Sequence, residues 1–369
     1  MITVVIFLAV LAILIFVHEL GHFLLARMNG IRVDAFKIGF GPRILSWVRG
    51  ETEYGLNLIP FGGYVKIHGE DPDEESLTGV DKERSFANKN RLRQATVLVA
   101  GVFFNFIFAC LLYIIIFASG VTVAGDVFPN YAEHQYDPRV LITHIEPGSP
   151  AEDSGLIVGD TIVGVGNLNK EPAENISKIE TIQNNINDSA GKDTQFTYSR
   201  NGQDYSVNVI PINSIVEGKY AIGITMSDVV DMRLPILSSI YEGFRYTGIM
   251  IWQTTVGLIS FFADIFRGQA DFATVTGPIG IAGIVGDAAS MGIIELLMIT
   301  AIISINLGVI NLLPFPALDG GRLLFVIIEG VIRRRIPSKF TNIVNTVGFV
   351  LLMILMLIVT YKDIFKLLK

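Results

Sequence analysis

From Ala95 to Ala118 this chain carries no charged side chain, and that run limits its fold more than any other feature. In hydrocarbon no water is available to pair with backbone N–H and C=O groups, so a lone apolar segment of this length must be a helix. At about 1.5 Å per residue it is long enough to cross a bilayer. Ile2 to Val17 forms a second apolar run, continued by Phe23 to Ala26 beyond a short polar insertion. A third uncharged run spans about Leu296 to Leu313, and a fourth about Thr341 to Val359. Tyr246 to Ala263 is a fifth candidate, weakened by Gln253, Thr254 and Thr255. Of the 369 residues 51% are hydrophobic and 17% charged, against roughly 25% charged in soluble domains. The chain reads as a polytopic α-helical membrane protein with about four transmembrane helices, a membrane-associated β-region and one extracytoplasmic α+β domain.

Charge placement orients it. Eleven Lys and Arg residues lie between Arg27 and Arg93, and Arg333-Arg334-Arg335 with Lys339 lie between the last two runs. Basic loops stay cytoplasmic. Four spans put both basic loops inside, whereas a fifth span at 246–263 would put the triple arginine outside. That segment therefore reads as an interfacial or re-entrant helix. The first run lacks the basic start and small-residue cleavage site of a signal peptide, so it reads as an uncleaved span with its N-terminus outside. The domain reading is 1–28 as the first span, 29–93 as a cytoplasmic-side loop with β-hairpins, and 94–119 as the second span. Residues 120–232 then form an extracytoplasmic domain and 233–292 an interfacial helical region. The third span is 293–325, a basic loop is 326–340, and the fourth span with its tail is 341–369. Within 36–68, strand-like stretches alternate with Gly41-Pro42, Arg49-Gly50, Pro60 and Gly62-Gly63 turn signals. Residues 71–90 are charged and read as a mobile loop. Cys110 is the sole cysteine, and a net charge of −7 without a polybasic block leaves no basis for nucleic-acid binding.

The polar insertion in the first run is His18-Glu19-Leu20-Gly21-His22. Residues four apart share a helix face, so both imidazoles can meet one ion, with Glu19 near enough to take a proton from the water that the ion polarises. A catalytic zinc needs a third protein ligand. His68 is one candidate, and Asp319 in Asn311-x-x-Pro314-x-Pro316-x-x-Asp319-Gly320-Gly321 is the acidic one. The two prolines break the third span there, and irregular backbone at membrane depth is tolerated where it lines a polar cavity.

This pair of motifs resembles the site-2 protease family of intramembrane zinc metalloproteases, in the bacterial regulator of sigma-E protease branch. The resemblance implies one zinc bound by His18, His22 and Asp319, with Glu19 as catalytic acid/base and Asn311 as a substrate-binding residue. Gly101-x-x-x-Asn105 is similar to a further recurrent element of the family. The resemblance also implies regulated proteolysis of single-span membrane proteins, such as anti-sigma-factor-like regulators or remnant signal peptides. An upstream site-1-type protease would cut first, and the bacterial cytoplasmic (inner) membrane would be the location. Val140–Ile145, Pro147–Ala151, Ser154–Leu156 and Val158–Ile162 resemble a PDZ domain, which implies capture of a peptide end, with Tyr220–Ile224 as a candidate carboxylate loop. The best-known members carry two such domains and only one is evident here. The competing reading is a catalytically silent PDZ membrane scaffold with structural zinc. A metal transporter is a third reading, but the repeats it would need are missing.

Overall fold

The computed structural model describes residues 2–71, 73–167, 173–174, 178–200, 202–213, 219–269 and 275–367. It divides into two compact units, residues 1–116 with 237–369, and residues 117–236.

The larger unit begins with α1 (Ile2–Met28), whose buried positions Val10, Leu14, His18, His22 and Ala26 recur four residues apart, with Gly21 and Phe23 flanking His22. They form one face of the helix, so both histidines belong to the side that packs. Next come two long antiparallel strands, β1 (Val33–Arg49) and β2 (Thr52–Ile67), which double back on themselves. Residues 33–38 of β1 pair with 63–67 of β2 and also with 53–56, while 43–49 pair with 52–57. The hairpin is thus a curled ribbon of four paired segments in the order 63–67, 33–40, 52–59, 43–49, and among the described residues 63–67 is an outer strand. Gly39 permits the fold-back: its φ is +83°, and a Cβ there would meet the Ile59 carbonyl at 2.7 Å. Phe36 anchors the ribbon to α1, with ring centroids 5.4 Å from Phe23 and 5.8 Å from Phe16. Phe23, Val33, Val65, Ile67, Phe86 and Val97 close this core, each large side chain contributing about 1.5–3 kcal/mol by leaving water. At the far end Ile44, Leu45, Trp47, Val48 and Leu58 are exposed, an apolar tip suited to lipid rather than water.

The segment read as a mobile charged loop, 71–90, is folded where described. Helix α2 (Glu74–Thr78) has a reciprocal cap between Asp73 and Ser76. The Asn88 amide donates to the Leu77 and Lys82 carbonyls, and the Phe86 N–H to the His68 carbonyl. Local capping and side-chain-to-backbone bonds supply the order that composition alone did not suggest. Helix α3 (Arg91–Ser119) follows.

The smaller unit holds β3 (Val121–Ala124), β4 (Gln135–Ile145), α4 (Pro150–Asp153), β5 (Thr161–Asn167), β6 (Ala173–Glu174), α5 (Ile179–Asp188), β7 (Thr194–Arg200), β8 (Gln203–Val209), β9 (Ile212–Asn213), β10 (Tyr220–Ala221) and β11 (Ile224–Met232). Its main sheet runs β3-β11-β4-β5-β7-β8, with β6 added to β5. Val140, Ile142, Ile162, Phe196 and Ile222 meet Ile182 and Ile186 of α5 in one core. Strand β3 covers β11 only from Val229 to Met232. Residues 224–227 therefore have β4 on one side and no strand on the other among the described residues.

The rest of the larger unit is helical: α6 (Ile236–Arg267), α7 (Pro278–Met291), α8 (Ile293–Asn311), α9 (Asp319–Ile332) and α10 (Ser338–Leu367). The segment read as 246–263 is the middle of the longer helix α6. Ser239, Glu242, Gly243 and Thr247 in its first half are buried, while Trp252, Ile259 and Phe266 are exposed. Helix α7 starts at a proline, and the Asp363 carboxylate accepts from the Gly277 and Gly280 N–H groups just before and inside it. By length and apolar composition α1, α3, α6, α8 and α10 are each able to cross a membrane.

Candidate metal centre

His18 and His22 lie one turn apart on α1, with their Nε2 atoms 3.2 Å from each other. The Asp319 carboxylate reaches both, Oδ2 lying 3.1 Å from His18 Nε2 and 3.3 Å from His22 Nε2. Three ligand-type atoms from positions 18, 22 and 319 thus converge within 4.8 Å of one another, the one such group among the described residues. His68, the other candidate third ligand, stands outside it.

Local sequence explains each position. The histidines can sit against α3 because glycines face each other there. A Cβ on Gly21 would meet the Ala100 carbonyl oxygen at 2.4 Å, and one on Gly101 would lie 2.3 Å from His22 Nε2 and 2.8 Å from His18 Nε2. The His22 Nδ1–H donates to the Val97 carbonyl at 2.9 Å, which leaves Nε2 bare and aimed inward. Asp319 arrives through the break between α8 and α9. Ala317 adopts φ +71°, and the Asn345 side chain accepts its N–H. Side chains at Gly320 or Gly321 would lie 2.2 Å from the Leu312 or Phe315 carbonyl oxygens. Asp319 begins α9 without capping it, since Leu318 is the cap residue. Its carboxylate is therefore turned to the histidines rather than to its own helix.

Two cavities open on this cluster. One of about 510 Å³ is lined by His18, Glu19, His22, Asp319, Tyr64, Val65, Glu70 and Arg322, among others. Another of about 260 Å³ joins His18, Glu19 and Asp319 to Gly62, Gly63 and Asn311. The outer strand 63–67 thus runs beside Glu19: a Cβ on Gly63 would come within 3.4 Å of Glu19 Cγ. Sequence reasoning missed the ion pair between Glu70 and Arg322 on the cavity wall. Arg322 could have been suspected, three residues after Asp319 on one helix face, but nothing near Glu70 marks it. Burial pushes the Glu70 carboxyl above the ordinary range, opposed by the Arg322 guanidinium.

The donor set fits zinc. Two imidazole nitrogens and one carboxylate match a three-ligand site that leaves a position open, and Asp319 Oδ2 is buried beside the two Nε2 atoms without a well-formed hydrogen bond. Three atoms this close, with a buried anionic oxygen among them, call for a cation.

The model of "Peptidase family M50" matches residues 6–355. A Clostridium perfringens protein named "Putative zinc metalloprotease" is 36% identical over 352 residues, covering 95% of each chain. Zinc metalloprotease RasP of Geobacillus kaustophilus is 31% identical over 437 residues, covering 99% of this chain and 98% of its own. Among solved structures, the PDZ domain of an SdrC-like protein from Listeria monocytogenes is 20% identical, covers 25% of this chain and 88% of its own, and has a TM-score of 0.21. The chain belongs to peptidase family M50, the site-2 proteases, and is a zinc metalloendopeptidase with several membrane-length helices.

Proposed function

We propose that this protease cuts single-span membrane proteins within the bilayer, with zinc held by His18, His22 and Asp319 and with Glu19 as acid/base. The observation that carries the reading is the outer strand 63–67 running past Glu19 and the metal cluster. A transmembrane substrate hides its carbonyls in helical hydrogen bonds and must be extended before attack. An open strand edge offers main-chain partners to an extended segment, and Gly63 lets that segment approach Glu19 closely. Asn311 lines the same cavity as Glu19 and Gly63, where its amide can bind the substrate backbone. When bound, zinc supplies the Lewis acid that polarises the scissile carbonyl and activates water. Glu19 takes the proton from that water and returns it to the leaving nitrogen.

In the topology we favour, α1, α3, α8 with its continuation to about 325, and α10 span the bilayer, and α6 lies at the interface. Both basic loops are then cytoplasmic, and the 117–236 unit and the N-terminus are extracytoplasmic, in a bacterial inner membrane. The smaller unit acts as a PDZ-like reader of a peptide end. The bare edge at 224–227 favours this, as does the turn of the Ile222 and Gly223 carbonyls inward to the Ala151 and Glu146 N–H groups. Substrates would be membrane-anchored regulators or remnant signal peptides trimmed beforehand by a site-1-type protease. The silent-scaffold reading is not favoured, since a structural zinc site needs neither an open position nor a base such as Glu19.

The test is cleavage of a tagged single-span substrate by purified protein, wild type beside Glu19→Gln, with and without a chelator and with bound zinc counted. The reading expects cleavage by wild type alone, lost on chelation, while the variant keeps its zinc. Undiminished cleavage by Glu19→Gln would overturn it.

A further inference from the structure

Helix α3 contributes no metal ligand, yet one stripe of it touches both histidines. Val97, Gly101 and Asn105 are spaced four apart and so share a face. Val97 receives the His22 Nδ1–H, Gly101 clears space for both rings, and Asn105 meets His18. The Asn105 side chain is fully buried, at 0% exposure. Its amide lies 3.2 Å from His18 Nδ1, through Nδ2, while its Oδ1 is buried without any donor. The Ser304 hydroxyl donates to the Asn105 backbone carbonyl at 2.8 Å, which pins this point of α3 to α8.

Those bonds conflict with a neutral, ligating His18. If Nδ2 donates, Nδ1 is bare and the ring proton sits on Nε2, the atom that faces Asp319 and His22. An Nε2–H cannot ligate. A half-turn of the amide resolves both problems, because Oδ1 then accepts the Nδ1–H, loses its orphan status and leaves Nε2 free. The two ends of an amide exchange by this rotation without moving any other atom.

We propose that Asn105 is a positioning residue that holds His18 in its Nδ1–H tautomer by accepting that proton through Oδ1. This rests on the assignment of His18 as a zinc ligand. Together with the Val97 carbonyl it makes α3 the outer support of the metal centre, one acceptor per histidine. Such outer partners orient a ligand and raise its basicity, and their loss typically lowers metal affinity by roughly 10–100-fold.

The test measures zinc affinity of the full-length protein in detergent by competition with a chromophoric chelator, for wild type, Asn105→Leu and Asn105→Asp. The visible spectrum of each cobalt-loaded protein is the second readout. Leu keeps the volume and removes the acceptor, whereas Asp keeps the acceptor and removes the amide donors. The proposal expects Asn105→Leu to fall about 10–100-fold in affinity with an altered cobalt spectrum, and Asn105→Asp to stay within about threefold of wild type. A role in helix packing alone would not separate the two variants by metal affinity. Equal affinity in wild type and Asn105→Leu overturns the proposal, as does a tenfold or greater loss in Asn105→Asp. Should Asn105→Leu not fold, the Asp variant decides by the same limits. A wild type that binds no zinc overturns the metal assignment and this inference with it, a result distinct from failure of the inference alone.

Discussion

The two units handle a buried carboxylate in opposite ways. In the smaller unit Asp160 is fully buried, and each of its oxygens is used: the Ile157 N–H and both the Nε and Nη2 of Arg200 donate to it. In the larger unit the Asp319 Oδ2 meets only the two histidine Nε2 atoms, at 3.1 and 3.3 Å, and forms no hydrogen bond of good geometry with them. The first arrangement is closed, and a satisfied buried charge of this kind holds a loop to a strand. The second is open, and a buried carboxylate that shares its space with two imidazole nitrogens is arranged to receive a cation.

That contrast can be broken at several places. The largest effect falls on Glu19. Glu19→Gln is expected to lower kcat by about 10²–10⁴-fold, the usual contribution of a positioned acid/base, with zinc content unchanged. Gly101→Ala should come next, because its Cβ would overlap His22 Nε2. Zinc titration should show at least about a tenfold weaker site, in keeping with disturbed ligand geometry, in a protein whose smaller unit melts as in wild type. Arg200→Ala tests the closed arrangement. It strands Asp160 and should cost about 3–5 kcal/mol in unfolding of the smaller unit, while zinc affinity stays the same. A loss of zinc there would erase the distinction between the two carboxylates.

The smallest effect is a pH dependence. Burial raises the Asp231 carboxyl, but hydrogen bonds from Arg139 and Thr122 outweigh it and hold it below its ordinary value. A depressed carboxyl adds stability that is present above the unfolded value of about 3.9 and lost as pH falls through the folded one. Thermal unfolding of the smaller unit should therefore be flat from pH 7 to 5 on this account and weaken below about pH 4. Asp231→Asn should remove part of that slope, and an unchanged slope would take Asp231 out of the account.

Much of this protein was legible in its residues. The uncharged runs had to be helices because lipid leaves backbone groups no other partner. The four-residue spacing of His18 and His22 put both on one face, and the Pro314 and Pro316 break marked where a polar site could enter a span. These are properties of neighbours along the chain, and local spacing decides them. What joined them depended on distance in space. That Asp319 rather than His68 completes the cluster follows from a fold-back of nearly three hundred residues, which no period in the sequence encodes. That 63–67 is the outer strand follows from the doubled pairing of β1, a matter of register and of Gly39. The order in 71–90 came from caps and side-chain bonds that a charged composition hides. Asn105 belongs to the metal centre only because two glycines let α1 and α3 meet there, and close approach between helices is fixed by packing.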